Sequence, residues 1–323
     1  MKFLVTGGLG FIGHNIVSTL ESLGHEVVII DWKCTYGIIP DDELDYLVNE
    51  RLSKISTKRI SYNSICNAKV VQMLLDEFNP DVVIHTASFP RQKVVNSDPQ
   101  LGSRVMIEGL LTLLEYSVAF GVKKFVHLSS SMVYGDFVDN IAEDSMCNPI
   151  GSYGIMKLCG EWLIKDYCKN SDLKYTIIRP SAVYGPLDVE DRVVAKFLTN
   201  AMRGNVLKVN GANEKLDFTY VDDLVHGIVD ASTSTISNNK TYNMSGGLAI
   251  SIRECAELVQ RIVGKGSIEV VERNLQYPSR GQLNISSAAN DLGYHPSTSL
   301  EQGLRMYYEW LQNSPFWSSK TIS

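Results

Sequence analysis

Tyr153 and Lys157 stand four residues apart in Tyr153-Gly154-Ile155-Met156-Lys157, at the start of a segment whose pattern predicts a helix over Tyr153–Lys169. Four-residue spacing puts both side chains on one face of a helix. An ammonium beside a phenol favours the phenolate and brings a tyrosine toward the range of a general base. Such a pair recurs by chance in many helices, so its setting decides its meaning. About twenty residues earlier, Ser129-Ser130-Ser131 closes a predicted strand, Lys124–Leu128, and runs into Met132-Val133-Tyr134-Gly135. Open α/β sheets bind their ligands at the carboxyl ends of strands. A serine there can share a hydrogen bond with a reacting hydroxyl. Base, cation and hydroxyl together suit removal of a proton from an alcohol.

A second cluster supplies what oxidation of an alcohol needs. Thr6-Gly7-Gly8-Leu9-Gly10-Phe11-Ile12-Gly13 joins a predicted strand, Lys2–Thr6, to a predicted helix, Ile12–Leu23. Its glycines at 7, 10 and 13 form GxxGxxG. A turn without Cβ atoms lets backbone amides and a helix N-terminus approach a pyrophosphate. Asp31 follows the second predicted strand, Glu26–Ile30, about twenty residues on. A carboxylate there accepts hydrogen bonds from ribose hydroxyls and repels a 2′-phosphate, so the cofactor is expected to be NAD.

These residues need a scaffold, and the hydrophobic pattern provides one. Compact apolar runs at Lys2–Thr6, Glu26–Ile30, Asp81–Thr86, Lys124–Leu128 and Tyr175–Arg179 read as buried strands. Helical patterns at Ile12–Leu23, Ala68–Phe78, Leu101–Phe120 and Tyr153–Lys169 alternate with them. That alternation implies an α/β fold, a Rossmann-like doubly wound parallel sheet with helices on both faces. Residues 1–180 form the expected NAD-binding domain. Beyond Pro180 shorter strands (Val206–Val209, Thr241–Met244, Ile268–Val271) mix with helices (Val193–Met202, Ile252–Val263, Leu300–Leu311). Residues 181–323 are therefore expected to make a smaller mixed α/β substrate lobe, with parts returning to the main sheet. Thr35–Lys58 is long for a connection and holds a helical pattern at Asp42–Lys54. It reads as a surface elaboration or a subunit contact.

Composition narrows the function. The 323 residues are 44% hydrophobic and 20% charged, enough to bury a substantial core. A formal net charge of -6 argues against general binding to nucleic acid. No apolar run approaches the roughly 18 residues of a membrane span, and glycines interrupt the apolar start too early for a signal peptide. The six cysteines (Cys34, Cys66, Cys147, Cys159, Cys168, Cys255) include no CxxC, which favours reduced thiols and a cytoplasmic setting. The six histidines (His14, His25, His85, His127, His226, His295) show no metal-ligand spacing, so no metal is expected. His85 and His127 end buried strands and read as structural.

Taken in order, the motifs resemble the extended short-chain dehydrogenase/reductase family, its nucleotide-sugar epimerases and dehydratases. Thr6–Gly13, His85-Thr86-Ala87-Ser88, Ser129–Gly135, Tyr153–Lys157, Arg179–Pro186 and Asp217–Asp223 carry the likeness across most of the chain. It implies that Tyr153 is the base, Lys157 its electrostatic partner and a serine the third member. The family's hydroxyl residue lies four before the tyrosine of VYG, which selects Ser130 over Ser131. The implied cofactor site comprises Gly7, Gly10, Phe11, Ile12, Gly13, Asp31, Ser64, Ile65, Thr86, Ala87, Ser88, Tyr153, Lys157 and Val183. The implied partner is a nucleoside-diphosphate sugar, touched by Ser131, Ala182, Lys215 and Arg280. The family often pairs the helices matching Leu101–Phe120 and Tyr153–Lys169 in a four-helix interface, so a homodimer or dimer of dimers is expected.

The departures from the family are informative. Its 4,6-dehydratases carry an acidic pair directly after the hydroxyl residue, where Ser131 and Met132 stand here. Methionine cannot transfer a proton, which disfavours loss of water. Ala182 replaces the asparagine of RPxNVYGP, and Leu216 replaces an arginine before Asp217-Phe218. Lys215 and Arg280 are the best remaining phosphate cations. Met106 stands at a usual structural asparagine, and Ser64-Ile65 at an Asp-Ile pair that often meets adenine.

The reading is oxidation at C4 of the sugar through a 4-keto species, as a 4-epimerase. The alternatives are a 4-dehydrogenase that releases the ketone, or the reverse ketoreductase. A non-catalytic NAD sensor of the same fold is the remote one, since such proteins commonly lose the Tyr–Lys pair. Asp31 generates a direct expectation. Enzyme stripped of cofactor should bind NAD more tightly than NADP by calorimetric titration, and equal or tighter binding of NADP would refute this role.

Overall fold

The computed structural model describes residues 1–320 apart from Thr35, Tyr36, Ile38, Pro90, Arg91 and Gln276. Six strands come first along the chain: β1 (Lys2–Thr6), β2 (Glu26–Ile30), β3 (Ile60–Ser61), β4 (Val82–His85), β5 (Lys124–Leu128) and β6 (Lys174–Pro180). With the later strand Lys240–Met244 they form one seven-stranded sheet. Its order is Lys240–Met244, β6, β5, β4, β1, β2, β3, and every pairing is parallel. Phe3, Val5, Val83, Ile84 and Phe125 are almost wholly buried on both faces. This is why these strands read as continuous apolar runs, with no alternation.

Helices cover both faces. α1 (Phe11–Ser22), α2 (Asp41–Leu52), α3 (Ala68–Phe78), α4 (Gln92–Ser97), α5 (Pro99–Ser103), α6 (Gly109–Ala119) and α7 (Gly151–Lys169) belong to the first half. α8 (Val193–Met202), α9 (Val221–Thr233), α10 (Ile252–Val263), α11 (Ser286–Leu292), α12 (Leu300–Asn313) and α13 (Pro315–Lys320) follow. α1 and α9 pack on one face through Ile16, Leu20, Leu224 and Ile228. α3, α6 and α7 pack on the other through Leu75, Leu110, Leu114 and Ile164. A third cluster joins α8, α10 and α12 around Phe197, Val259, Leu304 and Trp317. Two short strands, Val206–Asn210 and Ser267–Val271, pair in parallel beside it. Capping boxes at Ser251/Glu254 and Ser299/Gln302 start α10 and α12.

The strand order reverses between β1 and β4, so the crevice outside their carboxyl ends is the place where such a fold binds ligand. Two local features shape its walls. The expected helix over 101–120 is broken by a π turn, Arg104–Glu108, between α5 and α6. The wider turn keeps Val105 and Met106 buried, and glycines flank it where room is short. A Cβ on Gly109 would stand 2.7 Å from Ile65. Beyond Leu128 the chain is no longer a strand, because Ser131–Tyr134 coils into a 3-10 turn. Ser130 and Ser131 therefore both line the crevice.

The Thr35–Lys58 segment is not a surface elaboration, which corrects the sequence expectation for its described residues; Thr35, Tyr36 and Ile38 lie outside them. α2 buries Glu43, Leu47, Val48 and Arg51. Arg51 donates to the carbonyls of Leu9 at 3.0 Å and Leu187 at 2.7 Å. Tyr46 shares a 2.7 Å hydrogen bond with Ser314 and stacks on Phe316. Two of the four buried residues, Glu43 and Arg51, are charged, so no apolar stripe marks this face, and these partners lie too far along the chain for a local reading.

Ala182 has φ +33°, a backbone an L side chain adopts at a cost of about 1–2 kcal/mol. The family's asparagine tolerates this region better than alanine. Ala182→Gly should stabilise the protein by roughly 0.5–1 kcal/mol, strain relief less the entropy glycine adds to the unfolded chain. Urea unfolding measures it, and a loss of stability would show that no strain is stored there.

Candidate active site

The crevice is a single cavity of about 700 Å³, a volume typical of ligand sites. Gly7, Gly10, Phe11, Ile12, Gly13, Asp31, Ser64, Ile65, Thr86, Ala87 and Ser88 line one arm of it. Ser130, Ser131, Tyr153, Lys157, Ala182 and Val183 line its middle, and Lys215 and Arg280 its far arm. The fold thus brings together residues drawn from positions 7 to 280.

The glycine-rich loop is built for close approach. Gly7 has φ +70°, and a Cβ there would stand 2.8 Å from the amide nitrogen of Ala87. A Cβ on Gly13 would fall 2.0 Å from the Gly7 carbonyl oxygen, so α1 reaches the loop only because residue 13 has none. The Leu9 amide donates to Asp31 Oδ2 at 2.9 Å, tying the loop to the end of β2. Burial raises the Asp31 carboxyl above its ordinary value, against hydrogen bonds from Leu9 and Gly10 and the charge of Arg51. These features fit NAD. Backbone amides and the N-terminus of α1 would take its pyrophosphate and Asp31 its adenosine ribose.

Tyr153 enters from the first turn of α7. Burial raises its phenol above the ordinary value, while the charge of Arg192 and a hydrogen bond with Ser130 oppose that rise. The Ser130 hydroxyl also accepts the Met132 amide at 3.2 Å. Lys157 is one turn further on, its Nζ 5.8 Å from the Tyr153 ring centroid. Its ammonium donates to the Leu128 carbonyl at 2.7 Å. Burial pushes Lys157 down to about 8, against the charge of Glu161. Arg192, just before α8, adds a charge that lowers the phenol, beside Lys157 over the ring, and the sequence reading had not singled it out. Arg192 lies 3.9 Å from the buried Asp188 carboxylate. No spacing rule ties it to Tyr153, and only its place shortly after Arg179–Pro186 hints at the site.

In the far arm, Arg280 is half-buried, and its Nε, shut off from solvent, has no hydrogen-bond partner among the described residues. Burial lowers its guanidinium to about 10, Glu214 favouring the charge and Arg192 opposing it. Lys215 is exposed and bonded to Asp139 at 3.1 Å. Arg273 also lines this arm, near Glu214 and Asp136. His85 and His127 lie beneath the site and are held neutral, His85 near 3 and His127 well below its ordinary value, chiefly by burial. Their rings stack at 5.3 Å, and His85 Nδ1 shares a 2.8 Å hydrogen bond with Thr6. Among the described residues no group of three metal-binding side chains occurs, and no helix is long and apolar enough to cross a membrane.

Fold and site together define a class. The profile of the NAD dependent epimerase/dehydratase family matches residues 3–245, and the chain belongs to that family. It is an NAD-dependent enzyme of the nucleotide-sugar type. Among its relatives, the UDP-glucose 4-epimerase of Mycolicibacterium smegmatis is 30% identical over 97% of this chain and 99% of its own. The UDP-glucose 4-epimerase of Thermotoga maritima, solved with UDP-glucose, superposes with TM-score 0.86 at 27% identity, covering 100% of both chains. The UDP-glucuronic acid 4-epimerase of Bacillus cereus, solved with UDP-glucuronic acid and NAD, gives TM-score 0.87 at 29% identity, covering 96% and 98%.

Two substitutions test this geometry. Tyr153→Phe keeps the ring and removes the proton acceptor, and should slow the chemical step by about a hundredfold or more with cofactor still bound. Arg192→Met removes the charge that favours the phenolate, so the acidic limb of the kcat/KM profile should move to higher pH. Near-normal turnover of Tyr153→Phe, or an unmoved profile in Arg192→Met, would contradict these placements.

Proposed function

We propose that the protein is a nucleotide-sugar 4-epimerase that works through a 4-keto sugar. The observation that carries this reading is the arrangement of one cavity. A serine–tyrosine pair stands at its middle, the glycine-rich cradle on one side, and arginines without full partners on the other. Residues 1–180 serve the cofactor and residues 181–323 the substrate. The epimerase names of the relatives above support the assignment.

Arg280, with Arg273 and Lys215, takes the diphosphate as a charge-assisted partner. Tyr153 accepts the proton of the C4 hydroxyl, directly or through Ser130. Arg192 stabilises the phenolate that this requires. Lys157, fixed by the Leu128 carbonyl, would hydrogen-bond the nicotinamide ribose of bound NAD. NAD, when bound, supplies the hydride acceptor and donor. Tyr153 returns its proton to the ketone oxygen once the sugar has turned over. Met132, buried beside Ser131, gives no acid for expelling a hydroxyl, so water stays in the sugar.

The outward faces of α6 and α7 leave Val118, Ile155 and Trp162 exposed. They suit a homodimer joined through these helices. The reduced-cysteine composition suits the cytoplasm.

Purified enzyme, offered UDP-, GDP-, CDP- and dTDP-sugars, should give an isomer of unchanged mass from one of them with no net NADH. A product lighter by one water would sink the argument from Met132. A product two hydrogens lighter, formed only with an external oxidant, would establish the 4-dehydrogenase instead.

A further inference from the structure

The side-chain nitrogen of Gln92 and the hydroxyl of Ser88 are both shut off from solvent, and neither has a hydrogen-bond partner among the described residues. Both line the cavity. The proposed roles of Tyr153, Ser130 and the arginines leave Gln92 without a use, and the expectation that Ser88 lies at the cofactor names no partner for its hydroxyl. A buried donor left unmade costs about 1–3 kcal/mol, so a ligand atom is the natural partner.

α4 fixes where they stand. Asn96 Oδ1 accepts the backbone N–H of Tyr153 at 3.2 Å, which pins α4 to the first turn of α7. A Cβ on Gly151 would come within 2.7 Å of the Asn96 amide, so α4 and α7 meet closely at this point. Gln92 precedes Asn96 by four residues and so shares its face, one turn away. Ser88 follows Ala87, whose amide abuts Gly7 in the cradle. The two donors therefore stand between the glycine-rich loop and Tyr153, beside the space assigned to the sugar. The phosphate cations come from the opposite arm, so this pair is not part of the diphosphate site.

We propose that Gln92 and Ser88 form a reading site for a substituent of the sugar ring away from C4. They donate hydrogen bonds to a strong oxygen acceptor, a carboxylate or an N-acyl carbonyl, in preference to a plain hydroxymethyl group. The inference rests on the nucleotide-sugar reading above. A site built to hydrogen-bond a group discriminates strongly against a ligand that lacks it, because its own polar atoms are then left unpaired.

Calorimetric titration of NAD-loaded enzyme tests the proposal with four probes: UDP, UDP-glucose, UDP-glucuronic acid and UDP-N-acetylglucosamine. The wild type should bind one of the last two at least tenfold more tightly than UDP-glucose, and which one identifies the acceptor. Gln92→Val should remove that preference while free UDP binds as before. Gln92→Glu, nearly isosteric, should weaken binding of the preferred sugar by at least tenfold and guards against a packing defect in the valine variant. A wild type without preference, or a preference that survives both substitutions, would overturn the assignment of Gln92. If the wild type binds none of these, the same sugars are offered on GDP, CDP and dTDP, and failure to bind any of the four nucleotides would overturn the nucleotide-sugar reading itself, and this inference with it.

Discussion

The site depends on one buried ion pair. Arg179 Nε and Nη2 donate to both oxygens of Glu161 at 2.9 and 2.6 Å. Their side chains are 4% and 0% exposed. Glu161 is four residues past Lys157 and eight past Tyr153, so all three lie along one face of α7. Arg179 is on β6, and the pair fixes that face against the sheet. Ser129 donates to Glu161 at 2.6 Å, and Arg179 Nη1 donates to the Tyr134 hydroxyl at 2.8 Å. Tyr134 in turn donates to Asn243 on the edge strand at 2.8 Å. Breaking a buried pair by removing one partner costs about 3–5 kcal/mol. Here the loss would also free the helix that carries the base and the turn that carries the serine.

The charges around this anchor divide the work of the cavity. Arg179 is satisfied by Glu161 and holds structure. Arg51 is spent on the carbonyls of Leu9 and Leu187, clamping the glycine-rich loop to the second half of the chain. Arg192 lines the cavity and favours the phenolate by its charge, and Arg280 Nε is without a partner among the described residues. A guanidinium serves each task because it stays charged and offers donors in a fixed fork. The same low-dielectric surroundings hold His85 and His127 neutral and lower Lys157 to about 8.

How much of this was legible in the sequence follows from the range of each interaction. Gly7, Gly10 and Gly13 were readable because a tight turn needs them within a few residues, and the Tyr153–Lys157 pair because a helix repeats every four. Five central strands of the sheet were readable from their apolar runs, whereas β3, two half-buried residues at the edge, left no such run. Arg192, Arg51, Gln92 and Glu161 were missed because their meaning lies in partners brought close only by folding; Arg51 and Leu187 are separated by 136 residues. The π turn at Arg104–Glu108 was missed because periodicity spread over twenty residues does not register a single wider turn.

The central claim is that the C4 hydrogen of a nucleotide sugar leaves as hydride while Tyr153 handles the hydroxyl proton. Single turnovers with a substrate deuterated at C4 test it most directly. The account predicts a slower chemical step than with the protiated sugar and full retention of deuterium at C4 of the epimerised product. An unchanged rate, or loss of the label to solvent water, would contradict it.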